Sequence, residues 1–160
     1  MHLVGDEINE FDRGKVQMRS MFDKNVVYHI QSLEHMLDYT FSHLGLSNDH
    51  SIEYPLLMTE AMCNPNFTRQ QVSELLFECY EIPALSYCVD SLLAFHYNQS
   101  LLPSPTGSGL IINSSHSTTH MIPILSHQPQ LPLAKRLNIG GLHHTDLLTK
   151  SLQLKYSQHK

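Results

Sequence analysis

Apolar positions along the chain fall into a few periodic stretches separated by polar punctuation, and each stretch predicts an element. Residues 1–23 hold no sustained period and read as an irregular lead-in. From Lys24 the spacing changes, and Val26, Ile30, Leu33, Leu37, Phe41 and Leu44 recur at steps of three and four. That spacing gathers them on one stripe of a helix. Gly45 then stands where such a helix takes a left-handed C-terminal cap. Pro55 to Met58 is a short apolar run closed by the polar pair Thr59-Glu60, which predicts a buried strand. Thr68 to Gln71 has capping-box spacing, with Thr68 as the cap. It predicts a second helix that buries Val72, Leu75, Leu76 and Cys79 and closes at Pro83. Ala84 to Val89 reads as a strand, and Asp90 as the N-cap of a short helix over Ser91–His96.

Asn98 to Ser108 contains two prolines, one glycine and several serines, the composition of a surface loop. Beyond it, Gly109–Ile112 and Thr119–Leu125 flank a polar turn and predict a β-hairpin. A third strand over Ala134–Ile139 ends at Gly140-Gly141. A last helix is expected from about Leu142, burying Leu147, Leu148 and Leu152. Strands alternate with helices early, and hairpins dominate later. That order predicts a mixed α/β sheet with flanking helices.

Composition narrows the classes of function. The chain has 160 residues, 41% hydrophobic and 16% charged, too apolar for a wholly disordered protein. Ten basic against fifteen acidic side chains leave a formal charge of −5. No global positive field draws it onto DNA phosphates or anionic lipid, so no direct sequence-specific DNA binding is expected. Any work near nucleic acid is expected to run through a protein partner. Cys63, Cys79 and Cys88 form no CxxC pair and are odd in number, which fits a reducing compartment. Met1 to Phe11 carries no apolar run of the signal-peptide kind. The longest apolar stretches fall far short of the ~20 residues that span a bilayer. A soluble intracellular protein without a membrane partner is the expectation.

Candidate chemistry is sparse. His116 and His120 lie four apart, about 13 Å along an extended strand, too far for one ion with ligands at about 2 Å. His143 and His144 point to different sides of a helix. Hydrogen-bonded or solvated histidines are therefore expected rather than a metal centre, and the cysteines are expected as small buried hydrophobes. Glu74 and Glu78, one helical turn apart, read as a solvated face. Neither GxGxxG nor GxxxxGK[ST] occurs. The segment with most content is the turn Asn113-Ser114-Ser115-His116-Ser117 and the Thr119-His120 that follows. A phosphate-gripping turn needs converging backbone N–H groups, glycines for close approach and a carboxylate to hold magnesium-bound water. This turn has neither glycine nor aspartate. Taken alone, it reads as an ordinary hairpin.

Several blocks in order resemble the actin family. Leu57-Met-Thr-Glu-Ala61 with Asn64-Pro65 is similar to its LLTEAxxNP signature. Ser73-Glu-Leu-Leu-Phe-Glu78, Ile82-Pro83, Thr119-His120-x-x-Pro123, Arg136-Leu-Asn-Ile-Gly-Gly141 and Thr145-Asp146-Leu-Leu148 continue the register. Finer detail resembles an actin-related protein more than actin itself: Arg19 to Val26, Leu37 to Gly45, Val89 to Leu92 and Leu152 to Tyr156. The resemblance implies a partial actin-like (ribonuclease-H-like) α/β fold, about the middle third of such a protein. In those terms residues 24–97 are the helical and strand part of a first lobe. Residues 98–108 form a surface loop, and 109–160 form the hairpin, third strand and helix that start a second lobe. A sheet cut there is expected to leave an open edge and an exposed apolar face.

The family implies an ATP cleft floored by two phosphate hairpins and an adenosine loop. Only the second hairpin, Ile112 to His120, has a counterpart here. Actins carry a water-orienting glutamine where this chain has Asp90, and their Asp-x-Gly-Asp-Gly turn is replaced by Asn113 to Ser117. A vestigial phosphate hairpin of Asn113, Ser114, Ser115, His116, Ser117 and His120 is therefore expected. No catalytic residue, metal or cofactor is expected for this chain, with ATP and magnesium engaged only after assembly with missing parts. By resemblance its partners are subunits of a nuclear chromatin-remodelling complex of the INO-eighty type, with the nucleosome met indirectly.

Overall fold

The structure, a computed structural model, describes residues 4–10, 19–46, 51–103 and 106–156. Parts of the expected lead-in and of the Pro/Ser loop lie outside them. Backbone contacts divide the chain into two units, Met1–Met58 with Asn64–Tyr87, and Thr59–Cys63 with Cys88–Lys160.

The first unit holds a short 3-10 helix at Gly5–Glu10, strands β1 (Phe22–Asp23) and β2 (Val26–Val27), helix α1 (Ile30–His43) and helix α2 (Asn66–Tyr80). Val26, expected in α1, lies instead in a small antiparallel hairpin with β1. Lys24 and Asn25 form its turn with positive φ, which stops a helix from starting at Lys24. α1 begins six residues later, where His29 Nδ1 accepts from the Ser32 amide and caps the first turn. Its predicted stripe survives as Leu33, Leu37 and Phe41, all buried, whereas Leu44 is exposed. Gly45 closes the helix as expected, at φ +72. Its N–H donates to Ser42 O, and the Leu46 N–H donates to Phe41 O. These are the two hydrogen bonds of a Schellman cap.

α2 starts earlier than the capping-box spacing predicts. Pro65 sits at the N-cap with φ −60 and offers no side-chain cap. Its carbonyl starts the ladder by accepting from the Arg69 N–H at 3.2 Å. Thr68 is thus inside the helix and buried, so it is not the cap. Val72, Leu75 and Leu76 face inward as expected, but the inward place expected for Cys79 belongs to Tyr80. Together with Ile52 and Ile82 they join the α1 stripe in the first core.

β3 (Leu56–Glu60) and β4 (Leu85–Val89) pair as a two-stranded sheet and lead from the first unit into the second. β3 is only half-buried, since Leu57 is exposed, so the buried strand expected there has one covered face. The second unit continues with α3 (Asp90–Ser100), β5 (Gly109–Ser114), β6 (Thr119–Leu125), β7 (Gln128–Pro129), β8 (Lys135–Leu137) and α4 (Gly141–Lys155). β6 is central, antiparallel to β5 on one side and to β7 and β8 on the other. β5 lies at the sheet edge. Met62, Ile122 and Ile124 form the second core, with Val89, Leu92, Phe95, Ile111 and Ala134 packed around them.

The mixed α/β class is as the sequence predicts, with several small sheets and flanking helices. The last helix departs from expectation. α4 forms, but Leu147, Leu148 and Leu152 are 65%, 60% and 48% exposed, because no described layer lies against them. The cysteines also depart: Cys63 and Cys79 are exposed, and Cys88 is half-buried.

Candidate functional site

Alternation along β6 builds the site. His120, Ile122 and Ile124 alternate on one side and are buried, while Thr119, Met121 and Pro123 between them are less so; Thr118, just before the strand, is buried too. The apolar pair fills the core, and His120 ends the row at the turn. β5 runs beside it, with Asn113 opposite His120 and Ser114 opposite Thr119. The Ser115 N–H donates to Thr118 O at 2.8 Å and closes the hairpin. His116 therefore sits in the turn, as the sequence predicts.

None of Ser115 to Thr118 takes a positive φ, so the turn itself needs no glycine. The close approach is made from across it. A Cβ on Gly140 would meet Ser115 O, and would lie 2.7 Å from both His116 O and Thr118 N. With that space free, the Gly141 N–H donates to Ser115 O at 2.9 Å and the Leu142 N–H to His116 O at 2.8 Å. The Thr119 hydroxyl donates to Ile139 O at 2.7 Å and ties the other side of the same junction. The Gly140 N–H donates to His143 Nδ1 at 3.2 Å. The first amides of a helix attract anions when they are open. At α4 the first two are taken by carbonyls of the hairpin turn.

Asn113, Ser115 and Ser117 are half-buried, whereas Ser114 and His116 are exposed. His120 is 2% exposed and faces the core. The structure thus places Asn113 and Ser114 at the end of β5, paired with His120 and Thr119, and not in the turn expected over Asn113–Ser117; the turn is Ser115 to Thr118, with His120 behind it and turned inward. Burial holds the His120 imidazole below the usual histidine range; the positive charge of Arg136 adds to this, and the Asp90 carboxylate opposes it. Asp90 opens α3 and accepts from the Ser91 N–H at 2.6 Å. It lies inside the helix, whose N-cap is Val89 and which runs on to Ser100.

Two participants escaped the sequence reading. Thr118 is wholly buried and its hydroxyl has no protein partner among the described residues. Gly140 was legible only as a strand terminator, and the Gly140-Gly141 pair was its one signal. Among the described residues no group of three or more His, Cys, Asp or Glu side chains is placed to hold a metal. No helix among them is long and apolar enough to cross a membrane. A shallow groove on α2, lined by Arg69, Ser73, Glu74, Phe77 and Glu78 among others, shares no residue with the hairpin.

Comparison with known proteins follows the same residues. The family model described as Actin matches residues 1–159. Actin-related protein 5 of Homo sapiens is 42% identical over 156 residues, covering 98% of this chain and 25% of the relative. The protein of that name from Drosophila melanogaster is 39% identical over 156 residues, covering 98% and 24%. The one from Arabidopsis thaliana is 42% identical over 161 residues, covering 98% and 22%. The chain thus spans about a quarter of the length of the curated relatives it matches.

Proposed function

This chain belongs to the actin family, and from that premise we propose that it serves as a non-enzymatic scaffold, a subunit or part of one, in a nuclear ATP-dependent chromatin-remodelling complex of the INO-eighty type. The observation that carries the non-enzymatic part is the hairpin turn. Asn113 to Ser117 offers no carboxylate for magnesium. The helix amides beside it are engaged by the Ser115 and His116 carbonyls. Phosphoryl transfer depends on positioned cations and donors around the migrating charge, and this turn supplies little of either. Membership of a remodeller is supported by the likeness to proteins named actin-related protein 5. The formal charge of −5 favours meeting the nucleosome through protein neighbours.

The test is affinity purification of the tagged chain from nuclear extract under native salt. Remodeller subunits should co-purify in constant ratio, and the purified assembly should keep its ATPase rate when His120 is changed to Gln. Recovery of cytoskeletal proteins without remodeller subunits would rule the reading out.

One observation favours a second reading, in which the hairpin binds nucleotide once other parts are assembled with it. Thr119 and His120 retain the family pattern, and His120 is kept buried at the base of the turn. That reading expects magnesium-dependent ATP binding by the assembly, lost on changing His120 and Ser114 together. Calorimetry without a heat of ATP binding in any assembled form disposes of it.

A further inference from the structure

We propose that His96 on α3 and His127 in the turn between β6 and β7 form a binding site for a divalent transition ion of the zinc class, with water completing the ion's coordination. Their rings are nearly parallel, 15° apart, with centroids 6.4 Å from each other. Both side chains are exposed, and both belong to the second unit. An imidazole nitrogen binds zinc at about 2 Å, so an ion shared by two rings holds their centroids about 5–6 Å apart. The pair thus stands close to bridging distance, and as exposed side chains the two rings can turn their nitrogens to a common point without disturbing a core.

The backbone holds the two ligands at that spacing. Leu125 pairs with Gln128, which leaves Ser126 and His127 as the two-residue turn between β6 and β7. Both take positive φ, +48 and +64, as in a type I′ hairpin turn, whose twist suits the strands it joins. The His127 N–H donates to Gly107 O, and the Ser126 N–H donates to Ser108 Oγ at 3.0 Å. The turn is thereby fastened to the residues that lead into β5. A Cβ on Gly107 would collide with the His127 ring, so glycine there leaves the imidazole its place. From the other side, Phe95 lies against Gly109, where a Cβ would stand 3.0 Å from its ring. Gly109 pairs with Ile124 near the end of β6. That contact sets His96, the next residue of α3, beside the turn.

Imidazole suits zinc, copper and nickel rather than the hard ions magnesium and calcium. Ligands carried by a helix and a tight turn lose little freedom on binding, so two of them chelate where scattered surface histidines do not. The ion ties α3 to the β6–β7 turn. Because it binds only where both elements are in place, it stabilises the folded second unit. The site shares no residue with the Ser115–Thr118 turn and stands whether or not the chain serves as a scaffold.

Zinc titrated into the full chain against a competing chromogenic chelator tests this. The first ion should bind one to a chain, and magnesium in excess should not displace it. His96→Gln and His127→Asn should each weaken that binding at least about tenfold, since either leaves a single imidazole. Asparagine is the choice at 127 because it tolerates the left-handed backbone of the turn. His127→Cys should keep the site, because a thiolate also ligates zinc. His144→Gln, on the exposed α4, should leave the affinity unchanged. Should His127→Asn fail to fold, His96→Gln carries the same test from an exposed position on α3. Absence of one-to-one binding, equal affinity in the wild type and His96→Gln, or an equal loss in His144→Gln overturns the proposal.

Discussion

His120 shows how one residue couples the chemistry of the site to the stability of the core. Its ring is buried, and burial lowers its affinity for a proton below the ordinary value of 6.5. The unfolded chain takes up that proton where the folded chain refuses it. The stability this position contributes is therefore complete above the ordinary histidine value, and is lost as pH falls through it toward the depressed folded value. Urea midpoints followed from about pH 8 down to about pH 5 should decline, and His120→Gln should flatten the slope. A wild-type curve no steeper than that of the variant would show that His120 does not titrate differently on folding. Gly140 is the second residue-scale case. Alanine there would collide with the backbone of Ser115, His116 and Thr118, where none of the three can swing away as a side chain could. The expected loss is about 1–3 kcal/mol, read by denaturant unfolding, with faster amide exchange at Ser115 as the local signature. His120 was legible in the sequence because it sits in a strand-opening Thr-His pair. The steric demand on Gly140 was not, because it depends on residues more than twenty positions away.

Elements were legible where local periodicity and local caps agree. α1 kept its stripe and its glycine cap because both act within the helix itself. Gly45 sits at φ +72 with nothing near a prospective Cβ, so Gly45→Ala tests backbone conformation alone. It should cost about 1 kcal/mol, measured by thermal unfolding, since only the left-handed cap is strained. Starts of helices were less legible, since several polar residues compete for each cap. At α2 the proline before Asn66 fixes the backbone and starts the ladder three residues ahead of Thr68. The Tyr80 position was hidden for a different reason. It lies at the last residue of α2, where sequence reading assigned the inward place to Cys79. Its hydroxyl donates to Asp38 Oδ1 at 2.7 Å and to Glu34 O at 3.1 Å, and its ring meets Phe41 edge-on at 5.1 Å. Burial and the hydrogen bond to Asp38 push its pKa above the usual tyrosine range, so the phenol stays protonated as a donor. Tyr80→Phe keeps the ring contact and removes the bridge from α2 to α1. A loss of about 1 kcal/mol in urea unfolding is expected.

At the scale of the whole chain, the amount of uncovered apolar surface governs behaviour. α4 carries Leu147, Leu148, Leu152 and Leu154 in solvent, and it is fastened through its first residues, Gly141 and Leu142. β5 lies at an edge of its sheet and turns Leu110 and Ile112 outward at 60% and 64% exposure. An isolated strand edge offers unpaired backbone groups to other chains, and an apolar patch beside it strengthens that attraction. Sequence periodicity announced the leucines of α4 as buried because periodicity reports which side is apolar and cannot report whether anything covers it. The consequence is that the isolated chain should be marginally stable and prone to self-association. It should melt broadly, and amide exchange should be least protected along β5 and α4 while β6, hydrogen-bonded on both sides, is slowest. Replacing Leu148 and Leu152 together by Lys should raise solubility without lowering the protection of β6, since neither side chain is buried against a described layer. A sharp cooperative melt with full protection from Gly109 to Ile139 would contradict this. It would mean that the contacts within the second unit suffice on their own, and that the exposed leucines are tolerated in the native molecule.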